Sequence, residues 1–456
     1  MSMSANAMPT HTQDAHQPYL ISWNVTRRCN LSCAHCYMDA GARSAPSDDE
    51  LTTEEGLRLL DDIADVGPGA MLVLTGGEPL LRPDIFDLAE HAAQRGLLVV
   101  LGTNAYLLGD AAAQQLADAG VRGVGISLDS TRATGHDDFR DRPGSWRRAL
   151  EAMDVCRRRG LEFQVQMSVT TQNVDEVPSV LDLARDKGAK AFNVFFLVCT
   201  GRGQGITDIS PQEYERTLSS LVELGGSHGG MMVRARCAPY VARIARQSDP
   251  GLSVYEDQVA CIAATHYCRI TPDGAVTPCP YLPAVAGAIR EQPFGEIWRG
   301  SELLAEMRSG NLGGKCGACE YGATCGGCRA RAFAMTGDYM AEDSWCLHQP
   351  PQASHGVGDR EPAREPVWTE EARDRFARAP GFVRKMVMRK IEQYAREHDH
   401  HLITAEVVDG AKGGMRVPPM SPKGGLSRSS SPLDRATTSS RLRARRAREA
   451  RQGEDG

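Results

Sequence analysis

Residues 20–36 read LISWNVTRRCNLSCAHC and join a short apolar run to three closely spaced cysteines. Cys29, Cys33 and Cys36 follow the run in the spacing C-x3-C-x2-C. Three thiolates on one loop can hold three irons of a 4Fe–4S cube and leave the fourth iron open for a chelating cosubstrate. The alternative is a structural zinc site, which needs a fourth ligand, and His35 lies awkwardly between two of the cysteines. The spacing therefore favours a 4Fe–4S cluster with one open iron.

Strand-like and helix-like segments alternate from Leu20 to about Glu223. Thr52 and Glu55 form the capping-box pair that opens one of the predicted helices. Successive β–α units predict a parallel sheet, and right-handed crossovers curl such a sheet into a partial barrel. The predicted fold class is therefore α/β, a partial (β/α)6 barrel with its site at the carboxyl ends of the strands. The predicted strands are Ile21–Thr26, Met71–Thr75, Leu97–Thr103, Gly123–Asp129, Phe163–Thr170 and Ala191–Val198.

A glycine-bearing turn, Gly76-Gly77-Glu78-Pro79, follows the second predicted strand directly. Glycine lets backbone carbonyl groups approach a bound ammonium group closely, and Glu78 adds a negative charge. An ordinary turn without a ligand is the alternative. Next to the three-cysteine loop in a β/α barrel, the turn predicts a cosubstrate that carries an amino group.

The stretches CNLSCAHCY and LTGGEPLL resemble the radical S-adenosylmethionine (SAM) superfamily. The resemblance implies that a flavodoxin- or ferredoxin-like donor supplies one electron, and that SAM is cleaved to a 5′-deoxyadenosyl radical which removes hydrogen from an unactivated carbon. It places His35 near the adenine and the GGEP turn at the amino group. It also implies that residues at the ends of the third and fourth strands contact the methionine or ribose part of SAM. For each of them, a strand-end cap is the alternative role. The residues concerned there are Thr103, Asn104, Ser127 and Asp129.

A second group of cysteines resembles the SPASM extension of radical SAM maturases, which carries one or two auxiliary 4Fe–4S clusters. A zinc site is the alternative, because C-x2-C pairs are also zinc signatures. Cys261 and Cys268 are possible alternatives at one position, which would leave a site open for substrate. Cys156 and Cys199 are expected to be ordinary buried residues, and Cys237 is ambiguous. The predicted ligands are Cys261, Cys268, Cys279, Cys316, Cys319, Cys325, Cys328 and Cys346.

From Leu20 to about Pro350 the chain is similar to SPASM-type enzymes that modify tetrapyrroles, such as haem b and haem d-type synthases. The stretches LTGGEPLLRPDIFDLA and GKCGACEYGATCGGCRARAFAMTGDYMAE carry this resemblance. It implies removal or oxidation of propionate side chains. Tyr240 departs from the pattern, which has a histidine there. The rival hypotheses are a maturase of a ribosomally made peptide and a non-enzymatic electron carrier. The carrier would have no use for the GGEP turn.

The C-terminal stretch 367–415 resembles the small domain that ends a subunit of light-independent protochlorophyllide reductase. A helical appendage for docking or dimerisation is the alternative, and His398, His400 and His401 are expected to be solvated. The predicted organisation is a disordered N-terminus at 1–19, the radical SAM barrel at 20–225, a connector at 226–260, the SPASM-like domain at 261–350, a linker at 351–366, the small helical domain at 367–415 and a disordered basic tail at 416–456.

Composition limits the partners and the compartment. The formal net charge is −6, and residues 418–456 carry nine Lys and Arg against four Asp and Glu, which leaves about −11 for the rest. That balance argues against nucleic acid as a partner. No signal peptide and no apolar run of the roughly 18 residues that span a bilayer is visible. Fourteen cysteines without a secretory signal predict metal-binding thiols and a cytoplasmic location.

Overall fold

The structure is a computed structural model. It describes residues 16–41, 47–198, 200, 209–225, 230–248, 261–351, 367–376, 388, 391–392, 394–395, 400 and 402–413. The chain divides into one compact unit up to Gln352 and a second from Ala353 onward. The predicted disordered N-terminus (apart from 16–19), the predicted linker (apart from 351) and the predicted basic tail lie outside the described residues. So do Cys199, His398 and His401.

Ten strands of the first unit form one sheet in the order β10-β9-β8-β1-β2-β3-β4-β5-β6-β7. Strands β8 and β1 to β7 pair in parallel, and β9 and β10 continue the sheet in antiparallel pairing. The strands are β1 (Leu20–Asn24), β2 (Met71–Thr75), β3 (Leu98–Thr103), β4 (Gly123–Ser127), β5 (Glu162–Val169), β6 (Ala191–Phe196), β7 (Met232–Arg236), β8 (Tyr267–Ile270), β9 (Ala275–Thr277) and β10 (Gly287–Ala288).

Helices follow the first six strands and cover one face of the sheet. They are α1 (Thr53–Val66), α2 (Ile85–Gln94), α3 (Asp110–Asp118), α4 (Ala133–Arg140), α5 (Ser145–Arg159), α6 (Val177–Asp186) and α7 (Pro211–Gly225). The connector contributes α8 (Tyr240–Ser248), and the cysteine-rich part contributes α9 (Phe294–Gly300), α10 (Glu302–Arg308), α11 (Gly314–Gly317) and α12 (Arg329–Thr336). The α/β partial barrel is confirmed, and each of its six predicted strands is present.

Two parallel strands, β7 and β8, extend the sheet beyond the six that the sequence predicts. β7 lies in the predicted connector, and β8 opens the predicted cysteine-rich domain and pairs with β1, so that Cys268 lies opposite Ile21. Both strands are short and half polar, MVRAR and YCRI, and therefore lack a long apolar run. The cysteine-rich part thus shares the sheet of the barrel.

The two faces of the sheet differ in polarity. Along β5, Phe163, Val165, Met167 and Val169 are buried and alternate with half-buried polar residues. Side chains alternate between faces along a strand, so one face packs on the helices and the other lines the barrel interior. A Cβ atom on Gly125 of β4 would lie 2.4 Å from Nε2 of Gln166, which puts that glutamine on the inner face. The barrel interior is therefore polar and accessible.

Helix α1 packs closely on the outer face of β1. Thr52 accepts a hydrogen bond from the Glu55 amide at 3.2 Å, and Glu55 accepts one from the Thr52 amide at 2.8 Å, which confirms the predicted capping box. Arg290, beyond β10, donates to both carboxylate oxygens of Glu55 at 2.7 and 2.9 Å. The start of α1 is thereby tied to the cysteine-rich part.

The second unit has a small core of its own. Strands β11 (Val367–Trp368) and β12 (Leu402–Ile403) pair in parallel, and helices α13 (Glu370–Phe376) and α14 (Ala405–Gly413) pack together. Thr404 caps α14, since its hydroxyl accepts a hydrogen bond from the Val407 amide at 3.4 Å and its carbonyl accepts one from the Val408 amide at 3.1 Å. The core residues are Ala372, Ile391, Ala395, Ile403, Val407, Val408 and Ala411. In neither unit do the described residues form a helix long and apolar enough to cross a bilayer.

We predict that Gly56→Ala lowers the melting temperature. A Cβ atom at this position of α1 would lie 2.7 Å from the Trp23 ring and 3.0 Å from Leu88. Overpacking costs about 1–3 kcal/mol and outweighs the gain of up to about 1 kcal/mol in helix propensity. Gly300→Ala at the end of α9 is the matched control, because nothing lies within 4 Å of its added Cβ. Equal melting temperatures of the two variants, measured by circular dichroism, would contradict the packing argument.

Candidate functional site

The three predicted cluster cysteines lie on the loop that follows β1. The Cys29 amide donates to the Gly41 carbonyl at 2.9 Å and the Cys36 amide to the Cys33 carbonyl at 3.2 Å, which folds the loop back on itself. Cys29 and Cys33 are buried and Cys36 is half-buried. Burial first, and then the charges of Glu78, Cys33 and Cys36, raise the pKa of the Cys29 thiol to about 12. The three thiols repel one another when they ionise to thiolates. They are therefore a suitable donor set for the positively charged irons of a cluster.

The glycine turn after β2 lies directly on this loop. The Gly77 amide donates to the Thr26 carbonyl and the Glu78 amide to the Arg28 carbonyl, both at 2.8 Å. A Cβ atom on Gly77 would lie 2.1 Å from the Arg28 carbonyl oxygen, and one on Gly76, where φ is +149°, would lie 2.7 Å from the Thr26 oxygen. The glycines are therefore required for the two loops to approach each other. The sequence analysis explained them only by the approach of a ligand.

Glu78 is a fully buried carboxylate that faces the end of β3. It accepts hydrogen bonds from the Thr103 hydroxyl at 2.8 Å, the Asn104 amide at 2.9 Å and the Leu80 amide at 3.1 Å. Burial raises its pKa to about 7, although these hydrogen bonds act in the opposite direction. Among the described residues it forms no ion pair with a Lys, Arg or His side chain, so an ammonium group of a ligand would supply the missing positive charge.

Asn104 joins the end of β3 to the cysteine loop. Its Nδ2 atom donates to Oδ1 of Asn30 at 2.8 Å and lies 3.7 Å from Sγ of Cys29, while its Oδ1 accepts from the Tyr106 amide at 2.9 Å. Ala105, which lies between Asn104 and Tyr106, has φ +64°, a conformation that L residues rarely adopt. Asn104 thus orients the loop that carries Cys29.

Asp129, after β4, is engaged by the protein itself. Its Oδ2 accepts from Nε of Arg140 at 2.6 Å and its Oδ1 from the Ser168 amide at 2.9 Å. Burial would raise its pKa, but Arg140 and a hydrogen bond from His136 hold the pKa well below its usual range. Nη1 of Arg140 lies 3.9 Å from Sγ of Cys33. Sequence reasoning missed Arg140, because no motif marks a helical arginine that a strand-end carboxylate holds.

His35 and Ser127 lie beside the same loop and strand ends. The His35 ring stacks on Phe139, with 4.4 Å between ring centroids and 17° between planes. Ser127 is half-buried at the end of β4, and its hydroxyl lies 3.5 Å from the Thr103 carbonyl. Their contacts with adenine and with the methionine or ribose part of SAM stay predictions.

Eight of the nine downstream cysteines that the structure describes separate into two groups of four. Cys316, Cys319, Cys325 and Cys346, here called the outer set, line one pocket together with Arg243, Lys315 and His348. Cys237, Cys261, Cys279 and Cys328, here called the inner set, act on one another electrostatically: burial first, and then the charges of its three partners, raise the pKa of Cys279 well above its usual value. Each set has the four thiols that a closed 4Fe–4S cluster needs.

Cys237 joins the inner set, whereas Cys268 lies apart from both sets. Cys237 follows β7 directly and has φ +58°, and burial followed by the charge of Cys328 raises the pKa of its thiol. Cys268 is fully buried in the core on β8, and Arg308 is the one charged group of the described residues that acts on its pKa. The structure therefore does not bring Cys268 to the other predicted ligands, because its side chain faces the core beside β1.

Asp343 lies between the two sets. Its amide donates to Sγ of Cys316 at 3.4 Å, and its carboxylate accepts from the Cys328 amide at 2.8 Å. Arg331 of α12 lies 3.9 Å from this carboxylate and donates to the Leu197 carbonyl beyond β6 at 3.1 Å. This buried pair fixes both sets to the barrel.

We predict that Gly77→Ala reduces the cluster content of the cysteine loop. The added Cβ displaces the Arg28 carbonyl, next to Cys29, at a steric cost of at least about 1–3 kcal/mol. Iron and sulfide per chain after anaerobic reconstitution are the measurement. Gly109→Ala, where nothing lies within 4 Å of the added Cβ, is the control and should keep the wild-type content. Wild-type iron in Gly77→Ala would show that the close approach is not needed.

Three family models match the chain: the radical SAM superfamily over residues 23–184, the SPASM iron–sulfur cluster-binding domain over 261–328 and the proto-chlorophyllide reductase 57 kD subunit over 368–412. An AdoMet-dependent heme synthase of Methanosarcina barkeri is 42% identical over 343 residues, which cover 73% of this chain and 97% of that one. A pre-heme d1 synthase of Dinoroseobacter shibae is 34% identical, with 72% and 85% covered.

The fold is similar to the crystal structure of Streptococcus suis SuiB bound to S-adenosylmethionine, with a TM-score of 0.60, 18% identity and 73% and 77% of the two chains covered. At that identity the likeness concerns the fold alone. The family resemblance that the sequence predicted is confirmed. The chain belongs to the radical SAM superfamily and is an iron–sulfur enzyme that uses SAM and carries a SPASM cluster-binding domain.

Proposed function

We propose that this enzyme removes or oxidises propionate side chains of a tetrapyrrole in haem-type biosynthesis. The observation that carries the proposal is the 42% identity to a heme synthase over 97% of that protein's length. The pre-heme d1 synthase at 34% identity also makes a tetrapyrrole by its name. Conversion of a propionate to a vinyl group releases carbon dioxide. One hydrogen atom passes to the deoxyadenosyl radical in the first step, and one electron then passes to an acceptor, for which we propose an auxiliary cluster.

The cysteine loop is the proposed site of the SAM-binding cluster, with Cys29, Cys33 and Cys36 as ligands of three irons. When bound there, the cluster and SAM supply a carbon-centred radical that abstracts hydrogen from an unactivated carbon. The protein holds the thiols in place through Asn104 and keeps Arg140 beside Cys33, where a positive charge offsets the negative charge of the thiolate ligands.

The GGEP turn is the proposed site of the SAM amino group, which the buried carboxylate of Glu78 and the backbone of Gly76, Gly77 and Pro79 would bind. His35 is proposed to lie against the adenine, and Asn104 and Ser127 to contact the methionine or ribose part. Asp129 differs from Glu78 in that it already has a cationic partner within the protein, since its Oδ2 accepts from Nε of Arg140 at 2.6 Å. We therefore propose that Asp129 acts by positioning Arg140.

The outer and inner sets are proposed to hold one closed auxiliary 4Fe–4S cluster each. This assignment takes Cys237 as the fourth inner ligand in place of Cys268. A closed cluster leaves no iron free for substrate, so the porphyrin would bind through its side chains. We further propose a flavodoxin- or ferredoxin-like electron donor and a cytoplasmic location, since reduced thiols and low-potential clusters need a reducing compartment.

The proposed function is tested by anaerobic mass spectrometry of the reconstituted enzyme with SAM, a reductant and iron-coproporphyrin III. We expect deoxyadenosine to form together with porphyrin that has lost one or two carboxyl groups. Cys33→Ala is the control and should form neither product. Deoxyadenosine with an unchanged porphyrin would contradict the proposed substrate and favour the peptide-maturase alternative, for which peptides encoded nearby are the next substrates.

The ligand assignment predicts different outcomes for two buried cysteines. Cys237→Ala should lose about one 4Fe–4S cluster per chain, whereas Cys268→Ala should keep the wild-type iron and sulfide content, because Cys268 lies apart from the other thiols. Iron analysis and electron paramagnetic resonance of the reduced, purified variants measure both. Loss of iron in Cys268→Ala with retention in Cys237→Ala would reverse the assignment.

A further inference from the structure

The inner face of the barrel carries a row of amides that leads to two arginines. Gln166 of β5 lies opposite Asn193 of β6, and Asn193 lies opposite Arg234 of β7. Paired residues of neighbouring parallel strands project from the same face of a sheet, and residues two apart in one strand do so too. Arg234 and Arg236 therefore both project into the barrel interior. The Nε atom of Arg236 donates to Oδ1 of Asn193 at 3.2 Å, which agrees with this placement.

A third arginine projects into the interior from the opposite edge of the barrel. Arg269 of β8 lies opposite Ser22 of β1, and its Nε donates to Oδ1 of Asn24. Its guanidinium also donates to the Pro280 carbonyl at 3.3 Å and lies 5.3 Å from the centre of the Tyr37 ring. Since Tyr37 follows Cys36 in the chain, this arginine lies beside the loop of the proposed SAM-binding cluster.

These three arginines differ from most of the buried arginines elsewhere in the part of the chain that the structure describes; buried Arg329, which donates to two carbonyl groups, is the exception. Arg82, Arg140 and Arg243 each pair with a carboxylate, at 2.8, 2.6 and 2.6 Å. Arg234, Arg236 and Arg269 form no ion pair within the part of the chain that the structure describes, and their hydrogen-bond partners are amide, carbonyl and thioether groups. A guanidinium removed from bulk water needs an anionic partner or strong hydrogen bonds. Three uncompensated positive charges around one interior are thus suited to anions.

The position of the arginines relates them to the reaction. Arg236 directly precedes Cys237 of the inner set, and Arg269 shares Asn24 with Tyr37 of the first cysteine loop. Arg236 therefore lies next to the inner set, and Arg269 lies next to the SAM-binding loop.

We propose that Arg234, Arg236 and Arg269 form a carboxylate-binding site inside the barrel that holds propionate groups of the substrate. The inference rests on the proposed function and deepens it, because it assigns the groups that orient the porphyrin. Guanidinium groups bind carboxylates through paired hydrogen bonds. Two or more bound propionates would fix which remaining propionate faces the SAM-binding loop.

The test compares the binding of a tetra-acid with that of its ester. The dissociation constants of iron-coproporphyrin III and of its tetramethyl ester are measured by porphyrin absorbance with the reconstituted enzyme and with Arg234→Gln, Arg236→Gln and Arg269→Gln. Each substitution should weaken binding of the tetra-acid about ten- to hundredfold and leave the affinity for the ester unchanged, because a lost charge-assisted hydrogen bond affects only the carboxylate. Arg147→Gln on the exposed face of α5 is the charge-matched control and should bind as the wild type does.

Deoxyadenosine formation without substrate and iron content report whether each variant is intact. Wild-type affinity of all three variants for the tetra-acid would overturn the inference and leave the proposed function standing. If the wild type binds no tetra-acid, the proposed substrate is wrong, and labelling of arginines by phenylglyoxal with and without succinate then decides the site. Protection of Arg234 and Arg236 by succinate would support an anion site, and equal labelling would overturn it.

Discussion

The close approach of the glycine turn to the cysteine loop is the constraint on which the rest of the site depends. Gly77 packs on the carbonyl of Arg28 so closely that a Cβ would overlap it, and two backbone hydrogen bonds hold the loops together. The approach places Glu78 against the end of β3 and Cys29 against Asn104. One packing contact, available only to glycine, thus sets the positions of the thiols, the buried carboxylate and two strand ends.

The cysteine loop and the GGEP turn bring together negative groups, and the positive charges of the protein compensate them only in part. Burial raises the pKa of Cys29 and of Glu78, so the charged forms of both groups depend on positive partners. Arg140 provides one positive charge beside Cys33. An iron–sulfur cluster and the ammonium group of SAM are positive partners of the right chemistry for the others, and their binding free energy then adds to the stability of the loop.

The sequence was sufficient to predict the elements with strong local signals. The six apolar strands and the capping box at Thr52 were confirmed, because these patterns act within a few residues. β7 and β8 escaped prediction because every second residue faces the polar interior, which shortens the apolar run to one or two residues. Cys237 was not assignable because tertiary packing, and not sequence spacing, brings it to the inner set.

The order of the strands explains how distant cysteines meet. The loop after β1 carries Cys29, and β8 beside β1 leads through a hairpin to Cys279. Two neighbouring strands therefore lead to a ligand of the SAM-binding cluster and to a ligand of the inner set. β7 at the opposite edge ends at Cys237, which approaches Cys279 as the sheet curls. Assembly of the inner set therefore depends on the curl of the sheet, because Cys237 and Cys279 follow strands that are not neighbours in it.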